Sequence, residues 1–480
     1  MNLFKNKIFI YTSSRYLTYG LHFLNSLLIA RFLGVFYLGI WGFVMLVLQY
    51  LLRMNFGISN SINAIVSINK NNSSYVSQVI GIGVTLLFIL SALILFFFSF
   101  LYFFSIDFGT KYSFEQYLVY IIAIAILSHF NLFFSNIFRV YGKLSAITFN
   151  QTILPVLTFL SIFFFEGKEL LIVLIRVYLL SSVLSIMFYL FTSPVSFKPI
   201  INRDLAKKVL SKAFYLFIYN ACFYLIIIVT RTFVSDYFTI EEFGYFTFAF
   251  TLASAVLLIF ESMSFLIFPK LLNRFSQKDN LNVVVLLDSL RDSYVSISHL
   301  SMHVVILFYP FCLLFFPEFI STGKVFVFTA LTVVITTNLF GYQGLMIARE
   351  KEKTISFITV FALILNLILN YIFINFFKFQ YEYVMLATMI TYFIYIFIVS
   401  FYGRNIIYNR NNFKATFLDV FPLKWMIPFL SSMFITFLYD NYIIFYLIPV
   451  ILFFILNTKG LINSFKMARN IFANSKVLDV

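Results

Sequence analysis

Five charged residues stand inside stretches that are otherwise apolar: Arg15, Arg53, Arg176, Arg231 and Glu261. A charge at the centre of a bilayer costs at least about 2.5–3.5 kcal/mol on insertion scales, so such a residue is a functional-site candidate by default. Four guanidiniums against one carboxylate point to an anionic ligand. A guanidinium presents its N–H groups as a planar fork that matches the oxygens of a diphosphate. Polar neighbours recur at helical spacing. Arg15, Thr18, His22 and Asn25 share one helix face, as do Gln49, Arg53 and Asn60, and again Asn220, Tyr224 and Arg231. Such faces cannot point at lipid; they line a wet cavity or the inside of a bundle. The candidate binding set is therefore Arg15, Arg53, Arg176, Arg231, His22, Asn25, Gln49, Asn220 and Tyr224. The plainer roles for the same residues are helix–helix hydrogen bonding and snorkelling toward the head groups.

Glu261 is the candidate gate. A helix running outward from about Ile8 places Arg15 about 10 Å into the membrane at 1.5 Å per residue. Helices running inward to about Ile62 and Phe268 place Arg53 and Glu261 at similar depth. Pairing of Glu261 with one arginine when the inner mouth is closed, and release on opening, is the expectation; a static pair is the alternative. His299 and His303 share a face at i, i+4, a spacing that suits a metal or a proton relay, but no further ligands cluster nearby. Hydrogen bonding within the bundle fits them better, and no metal site is expected. His22 is the preferred proton-coupling candidate. Cys222 and Cys312 both fall in apolar segments, which does not suggest a disulfide framework. No nucleophile elbow, P-loop or HExxH occurs, so no catalytic residue is assigned.

The elements that position these residues follow from composition. Hydrophobic residues make up 62% of the 480-residue chain and charged ones only 11%, against about 25% in soluble domains. The bilayer is the solvent that suits such a chain. A spanning helix needs about 20 apolar residues. About fourteen candidates occur, with twelve the alternative count, centred near Tyr19, Gln49, Ser91, Leu127, Val156, Leu180, Phe223, Ala255, Val305, Val334, Ile364, Thr391, Ser431 and Leu447. With the N-terminus inside, the outer connections hold only Arg31, Lys111, Lys168, Lys324 and Lys378 among the basic residues, while the inner connections and the tail hold most of the rest. The net charge of +15 is thus a topology signal and not a nucleic-acid one. Both termini are expected in the cytoplasm, and no outer connection is long enough for an external domain. The stretch from Leu281 to Arg291 is expected to lie along the inner surface as an amphipathic helix.

The fold class expected is all-α and polytopic. Residues 1–192 form an N-terminal lobe of six helices and 193–212 a basic cytoplasmic linker with Pro194 and Pro199. Residues 213–404 form a second six-helix lobe related by pseudo-two-fold symmetry, and 405–480 two further helices and a tail. An even number of spans before the linker makes the halves parallel repeats. Leu38-Gly39-Ile40-Trp41-Gly42-Phe43 and Phe243-Gly244-Tyr245-Phe246-Thr247-Phe248 are a faint internal match.

Ala30-Arg31-Phe32-Leu33-Gly34, followed by Leu38-Gly39, resembles the A-R-x-L-G signature of Wzx-type polysaccharide flippases of the multidrug/oligosaccharidyl-lipid/polysaccharide exporter superfamily. Glu241-Glu242-Phe243-Gly244-Tyr245-Phe246 and Phe268-Pro269-Lys270-Leu271 resemble that family's elements around the eighth helix. Gly344-Leu345-Met346-Ile347-Ala348 and the Asn366/Asn370 helix resemble its tenth and eleventh. The resemblance covers roughly residues 1–405. The family's Asp-Arg pair in helix seven stands here as Thr230-Arg231, which puts a role for that aspartate in doubt. The resemblance implies a transporter, not an enzyme, in the bacterial inner membrane. It would pass undecaprenyl-diphosphate-linked repeat units outward by alternating access for O-antigen, lipopolysaccharide or capsule synthesis. It implies a lipid-linked oligosaccharide as substrate, membrane lipids around it, and a polysaccharide polymerase and chain-length regulator as partners. No cofactor is expected, with H+ or Na+ coupling as the source of drive. A peptidoglycan-precursor flippase and a multidrug exporter of the same superfamily are the alternatives, and an envelope polymerase ranks below them. The excess of intramembrane arginine argues against cationic drugs, and the short outer loops argue against a polymerase.

Overall fold

The computed structural model describes the backbone of residues 7–69, 72–104, 108–275, 280–408, 412–438 and 443–473. It describes their side chains apart from those of 7–13, 68, 212–213, 216, 257–273, 280–282, 443 and 463–473. Every regular element among the described residues is helical. That is the outcome hydrocarbon imposes, because a helix satisfies its backbone N–H and C=O groups within one segment. The chain is a multi-pass membrane protein. Eleven of the described helices are long and apolar enough to span, and Phe413–Val420 with Leu423–Leu438, bent by 64°, brings the number to twelve if the pair is counted as one span.

The chain folds into two compact units, Met1–Ala221 and Cys222–Val480. The first holds α1 (Lys7–Arg53), α2 (Ile58–Ile68), α3 (Ser73–Phe103), α4 (Glu115–Val140), α5 (Leu144–Ile162) and α6 (Gly167–Phe191). It also holds the first half of α7 (Arg203–Tyr237). The second holds the rest of α7, α8 (Ile240–Phe275), α9 (Asn280–Phe315), α10 (Gly323–Ile335), α11 (Tyr342–Ala348), α12 (Glu352–Asn375) and α13 (Met385–Tyr408). α14 (Phe413–Val420), α15 (Leu423–Leu438) and α16 (Leu447–Ala473) complete it.

All fourteen expected span centres fall on helices, and the difference in count has two origins. The apolar segment Ser14–Arg53 is 40 residues, about 60 Å at 1.5 Å per residue and twice the hydrocarbon thickness. It holds two expected spans joined at Gly34, whose φ of 69° and ψ of 172° leave the helical region. Only glycine adopts that conformation cheaply, which accounts for the last residue of the Ala30–Gly34 signature. In α8, most of the side chains on which apolarity would be judged lie outside the described residues.

Three expectations about helix limits are corrected. The second span does not run unbroken to Ile62. α1 stops at Arg53, and Met54–Gly57 form a turn with Phe56 and Gly57 at positive φ. The Asn55 side chain stabilises that turn by accepting from the Gly57 N–H at 2.9 Å. The stretch from Leu281 to Arg291 is not a separate surface helix. It belongs to α9, with Val283, Leu287, Leu290 and Arg291 all buried. The basic segment after α6 is extended only as far as Asn202, and α7 begins at Arg203.

That extended segment is strapped to the first unit. The Ile200 N–H donates to Gly81 O at 3.2 Å, and the Thr85 hydroxyl donates to Ile200 O at 2.8 Å. Phe197 packs on Phe134 with ring centroids 4.4 Å apart. Beyond the strap, Ser61 of α2 donates to Val209 O of α7 at 2.7 Å. A Cβ on Gly81 would lie 2.6 Å from Lys198 O, so only glycine lets the strap approach. Gly81→Ala should therefore destabilise the protein by about 1–3 kcal/mol, read as a lower thermal unfolding midpoint in detergent. Gly20→Ala, with nothing within 4 Å of its Cβ, should leave the midpoint unchanged or slightly higher.

Candidate functional site

In the first unit the polar face of α1 divides between buried, packed residues and half-buried ones. Thr18 and Asn25 are buried against α5: the Thr18 hydroxyl meets Thr152 Oγ1 at 3.1 Å, and Asn25 Nδ2 donates to Pro155 O at 2.7 Å. Arg15 is half-buried and donates from Nε to Tyr19 OH at 2.7 Å, with its guanidinium 5.4 Å from the Tyr19 ring centroid. That contact between neighbouring turns holds the guanidinium in a defined place. His22, Gln49 and Arg53 are half-buried too. Arg53 ends α1 at the Met54–Gly57 break, two residues after Leu51, whose backbone hydrogen-bonds the buried His129 of α4. Asn220 is half-buried on α7, while Arg176 is exposed on α6.

In the second unit Tyr224 is exposed and Arg231 is buried. The Arg231 guanidinium stands 4.9 Å from the centroid of Phe250 and 6.0 Å from that of Phe243. Aromatic faces supply the negative side of a quadrupole to a cation taken out of water. Thr230, beside it, points into a buried neutral network. Asn370 Nδ2 donates to Thr230 Oγ1 at 3.0 Å, Asn366 Nδ2 donates to Thr388 Oγ1 at 3.2 Å, and the Thr230 and Thr388 hydroxyls are hydrogen-bonded to each other. These residues join α7, α12 and α13 by interhelical hydrogen bonds. The position where the resembling family carries an aspartate is thus filled by a hydroxyl with neutral partners. The Glu261 side chain lies outside the described residues, as do Phe268-Pro269-Lys270-Leu271. His299 Nε2 meets Asn338 Oδ1 at 2.9 Å and His303 Nδ1 meets Ser432 Oγ at 3.1 Å, so each histidine is tied into the bundle. The Glu241-Glu242 element has a structural reason. Glu242 accepts from the Thr239 N–H at 2.8 Å and its own N–H donates to Thr239 Oγ1 at 3.1 Å, a capping box that starts α8.

One charged cluster was not anticipated. Arg291 of α9, almost fully buried, donates from Nη1 to Asp419 Oδ1 at 3.0 Å, from Nη2 to Asp419 O at 2.9 Å and from Nε to Asn338 O at 3.2 Å. Arg404 of α13 pairs with Asp419 Oδ2 at 2.9 Å, and the Tyr342 hydroxyl donates to the same oxygen. Burial, with the Asp419 carboxylate beside it, pushes the Tyr342 hydroxyl well above the usual phenol range and keeps it a donor. Asn338 Nδ2 reaches Val420 O at 2.9 Å, and Lys424 pairs with Asp292. Side chains from α9, α11 and α13 thus converge on one carboxylate at the end of α14. The available signal was a lone acid within a basic, apolar stretch, Asp419 between Lys414 and Lys424. By charge bias alone Arg291 and Arg404 read only as loop cations.

The family model described as polysaccharide biosynthesis protein matches residues 4–275. A comparison with curated proteins found no match. Among solved structures, an inward-facing multidrug resistance MATE family transporter of the MOP superfamily superposes with a TM-score of 0.67 at 14% identity. The match covers 83% of this chain and 95% of that one. An outward-facing MATE transporter of that superfamily gives 0.59 at 15% identity, over 83% and 93% of the two chains. A MATE transporter from Vibrio cholerae gives 0.59 at 14%, over 84% and 96%. At such identities the likeness is one of fold.

Asp419→Asn keeps the shape of the cluster and removes its one shared anion. Leaving Arg291 buried without its counter-charge should cost about 3–5 kcal/mol, measured as a fall in thermal unfolding midpoint. Arg404→Gln, at a more exposed position, should cost less.

Proposed function

Because the chain belongs to the polysaccharide biosynthesis protein family, we propose that it is a flippase for undecaprenyl-diphosphate-linked oligosaccharide repeat units. It acts in the bacterial cytoplasmic membrane with both termini inside, in the synthesis of a surface polymer such as O-antigen or capsule. Family membership is the observation that carries this reading. Two further observations support it. The fold is that of MATE transporters solved in inward-facing and outward-facing conformations, which suits a carrier working by alternating access. The charges within the apolar segments are four arginines and one glutamate, which suits an anionic cargo and not the cationic compounds of a multidrug exporter.

In this mechanism Arg15 and Arg53 take the diphosphate. Both stand half-buried on α1, where a guanidinium has lost part of its hydration and a charge-assisted fork to phosphate is stronger than in water. His22 and Gln49 offer polar contacts on the same helix. Arg231, Asn220 and Tyr224 on α7 and Arg176 on α6 complete the candidate set. Glu261 takes the coupling role, as the one carboxylate among these charges, with H+ or Na+ as the driving ion. The cargo itself undergoes no covalent change.

Deleting the gene in its native strain tests the reading. Surface polymer and single capped repeat units should both disappear, and diphosphate-linked repeat should accumulate in the inner membrane. Single repeat units persisting at the surface would point to a polymerase. Normal polymer would reject the cargo and turn attention to peptidoglycan precursors. In the complemented strain, Arg15→Gln and Arg53→Gln should each lower surface polymer by about tenfold or more. Arg176→Gln should have a smaller effect. A Glu261→Gln protein that transports normally would remove the coupling role.

A further inference from the structure

A cleft of about 320 Å³ opens in the first unit between α2, α3 and α7, on a surface the transport reading does not use. Leu90 and Leu93 of α3 face Leu210, Phe214 and Phe217 of α7, and Phe56 from the turn before α2 closes one end. The Phe56 and Phe217 rings lie 5.3 Å apart. The walls are open to their surroundings, Leu93 being 57% and Phe214 54% exposed. Set in a bilayer, such a groove offers an alkyl chain contacts on two sides where a flat helix face offers one.

Helical geometry adds a head group to the chain. Arg203, Lys207, Leu210, Phe214 and Phe217 recur at spacings of three and four, so they form a single stripe on α7. The stripe is basic for its first turn and apolar for the next three, and Arg203 and Lys207 are both exposed. Lys208, off this stripe, donates to Tyr75 OH of α3 at 3.2 Å, and Asp204 is a helix-surface neighbour of both Lys207 and Lys208. From Lys207 to Phe217 the groove runs about 15 Å. One acyl chain fills that length, and a long polyprenyl chain would overrun it.

We propose that this cleft binds one anionic phospholipid, its acyl chain between α3 and α7 and its phosphate on Arg203 and Lys207. A lipid so placed ties the first turns of α7 to α3, beside the strap that is bonded to α3 and the Ser61–Val209 hydrogen bond that joins α2 to α7. Basic residues at a membrane surface attract anionic head groups, and here two of them share a stripe with an apolar groove.

The full chain with Phe214→Trp, reconstituted in phosphatidylcholine vesicles, tests the site, with the signal of Trp41 and Trp425 in the parent subtracted. Phosphatidylglycerol with brominated acyl chains should quench Trp at position 214 at a mole fraction about tenfold or more below that needed for brominated phosphatidylcholine. Adding Arg203→Gln and Lys207→Gln should bring the two curves together. Arg203→Lys with Lys207→Arg should keep them apart, as should Lys143→Gln. Equal quenching by both lipids, or a difference that survives the paired glutamine substitutions, would overturn the proposal. So would undecaprenyl phosphate displacing the quencher at lower mole fraction than unbrominated phosphatidylglycerol, which would assign the groove to a polyprenyl chain.

Discussion

Hydrocarbon offers no partner to a backbone N–H or C=O, and the rest of this structure depends on that constraint. It makes every spanning segment a helix. It also decides where a helix can stop, because a break inside the membrane needs its freed groups satisfied locally. The break after Arg53 shows the requirement met, with Asn55 accepting from the Gly57 N–H and the backbone of Leu51 engaged by His129. The strap after α6 is not helical, and its Ile200 amide and carbonyl are both paired to α3.

The same constraint governs side chains. With no hydrophobic force to draw helices together in lipid, packing and interhelical hydrogen bonds must do so. Asn25 on Pro155, the Thr230–Asn366–Asn370–Thr388 network and the two histidines of α9 are such bonds. They explain why polar stripes alone are an ambiguous guide to a cavity. One stripe on α1 contains residues turned to a neighbouring helix, Thr18 and Asn25, beside a half-buried arginine about three turns away from the second of them. The Asp419 cluster applies the same logic to charge. Arg291 sits in the interior because a carboxylate and two backbone carbonyls reach it. In doing so it docks α14 and α15 onto the rest of their unit.

How much was legible varies with how local the cause is. Gly34 could be read as special because a kink depends on one residue's φ and ψ. Thr239 and Glu242 carry a capping box that the spacing alone would have identified. Asn366 and Asn370 were readable as interhelical polar residues, since an asparagine inside a span must find a partner. Their partner Thr230 was not readable, because a threonine is equally content to bond its own helix. Asp419 was missed for the same kind of reason: a charge near a span end looks solvated unless the helices packed over it are known. The limits of the second span were misjudged because Met54–Gly57 is apolar enough to pass for helix, and only its positive φ values reveal the turn.

By itself the sequence determined that this is a multi-pass helical membrane protein, and each of its fourteen expected span centres falls on a helix, because hydrophobicity and length are properties of each segment alone. It also carried the motifs on which the family resemblance rests. Only the tertiary structure decided which polar residues spend their hydrogen bonds on neighbours, that Arg291 is interior, and that Gly81 lies under a strap. Each of these depends on residues far apart in the chain arriving at one place. The energy of such a pair belongs to the meeting and not to either residue's own segment.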